Sequence, residues 1–284
     1  MDRDLPPQYS HDTAVASITR FYEFIERLYG NKTCSLEYPP PTGWSQITPD
    51  LGPHLNLGPE ALDLVRHIPY FRAGGARPCV MTACHPVDYR HIAENTRKHL
   101  QETGRRQKRD WDNPDLDRKY PPHIFPLAES VHYQWGCNIL IDTSRGVAIW
   151  HNVDGKPLSE GFPEPDEPCV DEGGVFLSDL DGWKVVPAWK IETFFRMAEE
   201  QLTALNWIPE LEAEDELQEV EVYGEPDEEQ SERARIMREA GWPGEQWDPY
   251  KAYENTRAWR DREYENEVSE EEQVREKLAA TDLG

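Results

Sequence analysis

Two apolar runs near the middle of the chain place the strongest constraint on its fold. Cys137-Asn138-Ile139-Leu140-Ile141-Asp142 and Val147-Ala148-Ile149-Trp150 flank Thr143-Ser144-Arg145-Gly146. Short runs rich in β-branched residues read as strands, and a four-residue loop ending in Gly joins them as an antiparallel hairpin. A second pair is expected at Gly174–Leu180 and Trp183–Val186, turning at Asp181-Gly182, and Cys79–Ala83 reads as a further strand. Helices flank these strands. Val15, Ile18, Tyr22, Ile25 and Leu28 recur at helical spacing and stop at Gly30-Asn31. Pro59–His67 predicts a short helix, with Pro59 in the first turn and Leu62, Leu64 and Val65 inward. A helical start over Val87–Leu100 leads into a hydrophilic basic arm, 97–119, expected to be exposed. Ile191, Phe194, Phe195, Ala198, Leu202 and Leu205 form one apolar stripe, ended by Trp207-Ile208-Pro209. Antiparallel hairpins between N- and C-terminal helices, without βαβ alternation, define an α+β domain rather than a doubly wound sheet.

Charge divides the chain. The 284 residues hold 30 Lys+Arg against 55 Asp+Glu, a formal balance of −25. Residues 210–284 carry 25 of the acidic and 9 of the basic residues, a balance of −16. With few aliphatic residues to offset ordering entropy, Glu210–Glu232 reads as an acidic solvated linker. Beyond it Ser231–Ala240 and Asp248–Lys277 favour helix, broken at Gly241-Trp242-Pro243-Gly244, with Ser269 as an N-cap before Glu270–Glu272. Trp242, Trp247, Tyr250, Tyr253, Trp259 and Tyr264 are too many aromatics for a disordered tail, so this acidic helical extension docks on its own core or on a partner. The division is therefore 1–209, a globular domain expected to stay folded alone, and 210–284, linker and extension.

The same balance argues against duplex DNA as a partner, since such a protein needs net cation to displace counterions. No apolar run approaches the length of a membrane span. Met1-Asp2-Arg3-Asp4-Leu5-Pro6-Pro7 lacks the basic and apolar regions of a signal peptide. Five cysteines without regular spacing fit reduced thiols. The expected location is cytoplasmic, with the nucleus kept open because Arg105–Arg109 has the composition of an import signal as well as of a plain charged loop.

Chemical signatures are sparse. Cys79 and Cys84-His85, with His91 six residues on, offer one loose pair where structural zinc needs two, and buried thiols beside a surface histidine account better for them. Cys84 with His85, or Cys137 with His132, are too close in sequence to face each other as thiol and base. Asp166, Glu167, Asp171 and Glu172 around Cys169 lack EF-hand spacing, and Gly74-Gly75 and Gly173-Gly174 lack a phosphate-loop pattern. No catalytic residue, metal ligand or cofactor is assigned. Most aromatics belong in a core, where each buries about 150–250 Å². Trp and Tyr are also favoured in recognition surfaces, and Trp44, Tyr70 and Trp135 are the candidate binding residues.

The order of several motifs adds a resemblance. Helix Ile18–Leu28, then Pro39-Pro40-Pro41-Thr42-Gly43-Trp44-Ser45-Gln46-Ile47-Thr48-Pro49, then Leu64-Val65-Arg66-His67-Ile68-Pro69-Tyr70, resembles a group of filamentous-fungal proteins of no assigned activity. So do the hairpin Ile139–Gly146, the closing helix Ile191-Glu192-Thr193-Phe194-Phe195, and Ile236-Met237-Arg238-Glu239-Ala240-Gly241-Trp242-Pro243. That group is distantly similar to the SUKH superfamily, which includes a yeast cell-wall-synthesis regulator and bacterial immunity proteins. The resemblance implies a SUKH-like α+β domain over 1–209 that binds proteins without catalysis. The arm at 97–119 and the acidic extension depart from a minimal domain of that type.

These readings give a non-catalytic intracellular protein-binding or scaffold protein with a protein partner. The alternative is an accessory enzyme of fungal small-molecule metabolism with a nonstandard site, its Trp and His residues enclosing a pocket for a small molecule. A third reading has Glu210–Glu232 contact a basic partner, a contact that salt would weaken.

Overall fold

In a computed structural model the described residues are 9–30, 34–72, 78–81, 83–103, 120–130, 136–152, 167–168, 187–209, 220–222 and 228–281. The hairpin forms as its sequence dictates. Strands β5 (Cys137–Asp142) and β6 (Val147–Asn152) pair antiparallel with Asp142 opposite Val147. In the loop, Asp142 Oδ1 accepts from the Ser144 amide at 2.8 Å, the Ser144 hydroxyl at 2.7 Å and the Arg145 amide at 3.2 Å. Gly146 takes φ +69°, a left-handed conformation open to Gly at little cost. Around this pair stand β3 (Cys84–Pro86), β4 (Ile124–Ser130), β7 (Glu167–Pro168) and β8 (Pro187–Lys190), in the order β3-β4-β5-β6-β8-β7, with every pairing antiparallel.

Side chains alternate across the sheet. Ile139, Ile141, Ala148 and Trp150 enter the main core, while Leu140, Val147, Ile149 and Ala188 form a second buried cluster with Ile124. Both faces are covered, which explains why β5 and β6 read as continuous apolar runs rather than as alternating ones.

Helices line the main core. Helix α1 (His11–Tyr29) starts at Ser10, whose hydroxyl caps it, and ends at Gly30 with φ +86°. Ile18, Phe21, Tyr22, Ile25 and Leu28 are buried, whereas Val15 is half-buried at the edge of the stripe. Helix α2 (Gly52–Leu55) follows the 3-10 turn Pro49–Leu51; helix α3 (Pro59–His67) and helix α4 (Tyr89–Thr103) come next in that layer. Helix α5 (Ile191–Ala204) buries the whole predicted stripe, and Phe195 meets Phe21 of α1 at 5.1 Å between ring centroids. Short strands β1 (Leu36–Glu37) and β2 (Tyr70–Phe71) pair separately, as do β9 (Trp207–Pro209) and β10 (Val220–Val222). The structure is α+β, as the pattern predicted.

Three expectations are corrected. Cys79–Ala83 turns rather than extends: the Val80 amide bonds the Cys84 carbonyl at 2.8 Å, Ala83 takes φ +47°, and the strand begins at Cys84. Glu210–Glu232 is not linker throughout, because Val220–Val222 pairs with β9 and helix α6 (Glu228–Glu239) starts inside it. Ser269 lies within helix α7 (Pro249–Thr281) rather than at a helix start, and the start of α7 is capped by Asp248 Oδ1 accepting from the Tyr250 and Lys251 amides at 3.1 Å. The pair expected at 174–186, the basic arm from 104 to 119 and Cys169 lie outside the described residues.

Packing runs across Pro209. Gly241, at φ +100°, ends α6 with the Trp242 amide bonded to the Met237 carbonyl at 3.1 Å and the Gly241 amide to Arg238 at 3.0 Å. A Cβ at Gly241 would stand 2.5 Å from the Gln246 carbonyl oxygen, so the turn requires Gly. It delivers Trp242 into the core, its indole donating to the Leu202 carbonyl at 3.1 Å and its ring 5.5 Å from Phe24. Trp247 donates to the Arg27 carbonyl at 3.0 Å, and Met237, Ala240 and Ala252 join the same buried cluster. The extension docks on its own core, against α1 and α5.

Candidate functional site

Two of the three candidate binding aromatics meet around one guanidinium. A turn at Pro40–Gly43 sets up Trp44: the Gly43 amide bonds the Pro40 carbonyl at 2.8 Å, and Gly43 takes φ +77° close to the Arg66 carbonyl. Trp44 is half-buried, and its indole N–H donates to the Ile68 carbonyl at 2.8 Å. Tyr70, fully buried on β2, donates to the Val65 carbonyl at 2.6 Å. Arg90, in the first turn of α4, places its guanidinium carbon 4.6 Å from the Trp44 ring centre and 5.1 Å from that of Tyr70.

The same guanidinium is fully engaged. It donates to Asp88 Oδ2 at 2.8 Å and Oδ1 at 3.1 Å, to Glu37 Oε2 at 2.5 Å and to the Phe71 carbonyl at 3.0 Å. Burial works against the Arg90 charge, but the hydrogen bonds to Asp88 and Glu37 outweigh it and hold the group more firmly protonated than usual. Burial, reinforced by the Asp88 charge, pushes the Tyr70 phenol well above its ordinary value. The arrangement is a clamp joining the Trp44 turn, β1, β2 and α4. Tyr70 offers no surface to a partner, and Trp44 offers only its outer edge. Trp135 lies outside the described residues. Tyr38 beside the clamp is 52% exposed, and burial of its tip together with a hydrogen bond to Glu23 pushes its phenol up to about 12.

Sequence reading named the aromatics and missed Arg90, Asp88 and Glu37. The signal was Asp88-Tyr89-Arg90 at a helix start, where the Asp carboxylate caps the Arg90 amide at 2.9 Å.

The thiols are engaged in local structure. Cys79 Sγ lies 2.6 Å from the Met81 carbonyl oxygen and 3.2 Å from the Cys84 amide nitrogen, so it organises the turn before β3. Burial pushes the Cys84 thiol well above its usual range, and a hydrogen bond with Cys137 adds to the effect. Burial and then the Glu26 charge push Cys34 up to about 12. The His85 ring bonds the Pro78 carbonyl at 3.1 Å. A raised thiol is the opposite of the low-pKa thiolate that attacks a substrate, so Cys34 and Cys84 are not nucleophiles of that kind.

Two surface features remain. An open groove of about 420 Å³ is lined by Asp12, Thr13, Ala16, Ser17, Arg20 and Glu192. The second is α7. Its first turns pack, with Ala252 and Thr256 buried, whereas every described side chain from Asp261 to Ser269 is exposed. Tyr264 at 69% and Val268 at 38% stand four residues apart, hence on one face of this arm. No helix among the described residues is long and apolar enough to cross a membrane. Compared with protein-family models, with curated proteins and with solved structures, the chain matches none.

Proposed function

We propose that this chain is a non-catalytic, intracellular protein-binding scaffold of SUKH-like type, and that the outer part of α7 is its contact element. The observation that carries the reading is the exposed Tyr264–Val268 pair on a stretch of α7 whose described side chains, Asp261 to Ser269, are all exposed. Two adjacent apolar side chains at i and i+4 are the anchors with which an amphipathic helix enters a partner's groove. Around them the arm is acidic, with Asp261, Glu263 and Glu265 against Arg262. The fitting partner is therefore a protein with an apolar slot rimmed by Lys and Arg, rather than duplex DNA. The net charge of −25 supports the same choice. The SUKH-like assignment rests on the motif resemblance, and a cytoplasmic or nuclear location on the reduced thiols and Arg105–Arg109. The groove beside α1 is open to solvent, so it is not the enclosed pocket that the accessory-enzyme alternative calls for.

The test is cross-linking of the full chain in a fungal extract, followed by affinity measurement with the purified partner. Tyr264→Glu combined with Val268→Glu should weaken binding at least tenfold without altering the circular dichroism of the body. Unchanged affinity, or cross-links that avoid 261–281, would overturn the assignment of the arm.

A further inference from the structure

Ser10 caps α1 and so fixes His11 as its first helical residue, while α3 carries Asp63 and His67 one turn apart on one face. Packing of α1 on α3 brings the three together. His11 Nε2 lies 3.2 Å from Asp63 Oδ2, and His67 Nδ1 lies 3.3 Å from Asp63 Oδ1. The imidazoles stand edge to face with ring centres 5.3 Å apart, and one donor atom from each residue falls within 4.8 Å of the others. Zinc bonds to nitrogen and oxygen of about 2.0–2.2 Å give tetrahedral edges of about 3.3–3.5 Å. The two His–Asp separations, one to each carboxylate oxygen, are close to that length, and a small rotation of the Asp63 carboxylate would bring one oxygen to both imidazoles.

A second feature points to a missing ligand. His11 Nε2 is shielded from solvent, yet its contact with Asp63 lies outside hydrogen-bond geometry. Among the described residues the Tyr9 hydroxyl is likewise shielded without a hydrogen-bond partner, and it feels the charges of Asp63 and Glu60. Buried polar atoms are ordinarily paired, so two beside one carboxylate call for an explanation. The local charge suits a cation. Asp12, Glu60 and Asp63 surround the cluster, and His67 sits at the negative end of α3. Arg66 turns away to donate to the Thr42 carbonyl at 2.9 Å. The positive end of α1 at His11 acts in the opposite direction, and three carboxylates outweigh it.

We propose that His11, Asp63 and His67 form a site for zinc(II). Two imidazoles and a carboxylate are borderline donors that suit zinc, with copper(II) and nickel(II) as its competitors. His67 Nδ1 now lies 2.8 Å from the Asp63 carbonyl oxygen, and coordination there replaces that hydrogen bond. Three protein ligands leave one tetrahedral position open. Bound zinc would tie the start of α1 to the end of α3, a role independent of the binding arm.

The test uses the full chain, stripped with a chelator, dialysed and titrated with zinc(II) against a chromophoric competitor. An acidic protein binds zinc weakly at many places, so the readout is the difference between variants. His11→Gln, Asp63→Asn and His67→Gln should each lower the tightest affinity at least tenfold, whereas His91→Gln, an exposed histidine on α4, should not. Cobalt(II) should give the visible absorption of a tetrahedral complex with the natural chain and lose it in the three variants. Each variant is checked by circular dichroism; should one fail to fold, the other two decide. Equal zinc affinities and cobalt spectra in the folded variants and the natural chain would overturn the site.

Discussion

Tyr22 shows how a single polar atom can limit stability. Its ring is fully buried between Phe21 and Phe71, and among the described residues its hydroxyl finds no hydrogen-bond partner. A buried unpaired hydroxyl costs about 1–3 kcal/mol, so Tyr22→Phe should leave stability at pH 7 unchanged or raise it by about 1 kcal/mol. Burial first, then the Cys84 and Asp88 sides of the pocket, raises the phenol above its unfolded value near 10. A raised folded pKa means full stability below the unfolded pKa and a loss as pH rises beyond it, because only the unfolded chain releases the proton. Above pH 10 the natural chain should lose about 1.4 kcal/mol per pH unit more than Tyr22→Phe. Urea unfolding at pH 7 and pH 11 measures both effects. A loss above about 1 kcal/mol for Tyr22→Phe at pH 7 would mean that the hydroxyl is paired after all. Periodicity identified Tyr22 as a core residue, since position on the stripe decides burial. Its unpaired hydroxyl was illegible, because hydrogen-bond partners come from segments distant in sequence. The same holds for Arg90, whose partners Glu37 and Phe71 precede it by 53 and 19 residues.

At the scale of elements, legibility followed local information. The β5–β6 hairpin, α3 and α5 were readable because turn, cap and stripe lie within a few residues of one another. The turn after α6 was readable for the same reason, through Gly241. What the sequence left open was the destination of α6 and α7, since docking depends on a match between Trp242 and a surface built from Phe24, Arg27 and Leu202. Composition alone would make the whole acidic quarter solvated, but the aromatics beyond Glu232 pointed to docking, and there Ala234, Ile236, Met237, Ala240 and Ala252 are buried. These contacts across Pro209 argue against the expectation that 1–209 folds alone. A chain ending at Pro209 would lose those residues and β10, and would uncover Phe24, Leu28 and Leu202. Removing one buried aromatic such as Trp242 costs about 3–5 kcal/mol, a large share of the 5–15 kcal/mol by which domains are stable. The truncated chain should be molten or insoluble, with its near-ultraviolet circular dichroism flattened. A sharp spectrum and cooperative unfolding from that truncation would show that α6 and α7 are ornaments on a self-sufficient core.

For the whole molecule, the division that matters falls inside α7 rather than at Pro209. Up to Arg260 the helix has a packed face, through Ala252, Tyr253 and Thr256; from Asp261 the described side chains are all in solvent. A helix with no buried face draws its stability from propensity and from i,i+4 pairs worth only tenths of a kcal/mol each. The described side chains from Asp261 to Ser269 add nothing to the buried core, so loss of this stretch should not be felt there. Ending the chain after Arg260 removes Tyr264 and Val268 while keeping the buried contacts that Ala252, Tyr253 and Thr256 make with the body. The melting temperature should then stay within about 2 °C of the full chain, since even 1 kcal/mol shifts a protein of this size by about 2–4 °C. Partner binding through the arm should disappear in the same truncation. A melting temperature lowered by 5 °C or more would place the outer part of α7 in the folded body, and retained binding would move the contact surface to the rim around Trp44 and Tyr38. The two truncations together separate fold from recognition: one cut at Pro209 should destroy both, and one at Arg260 should remove recognition alone.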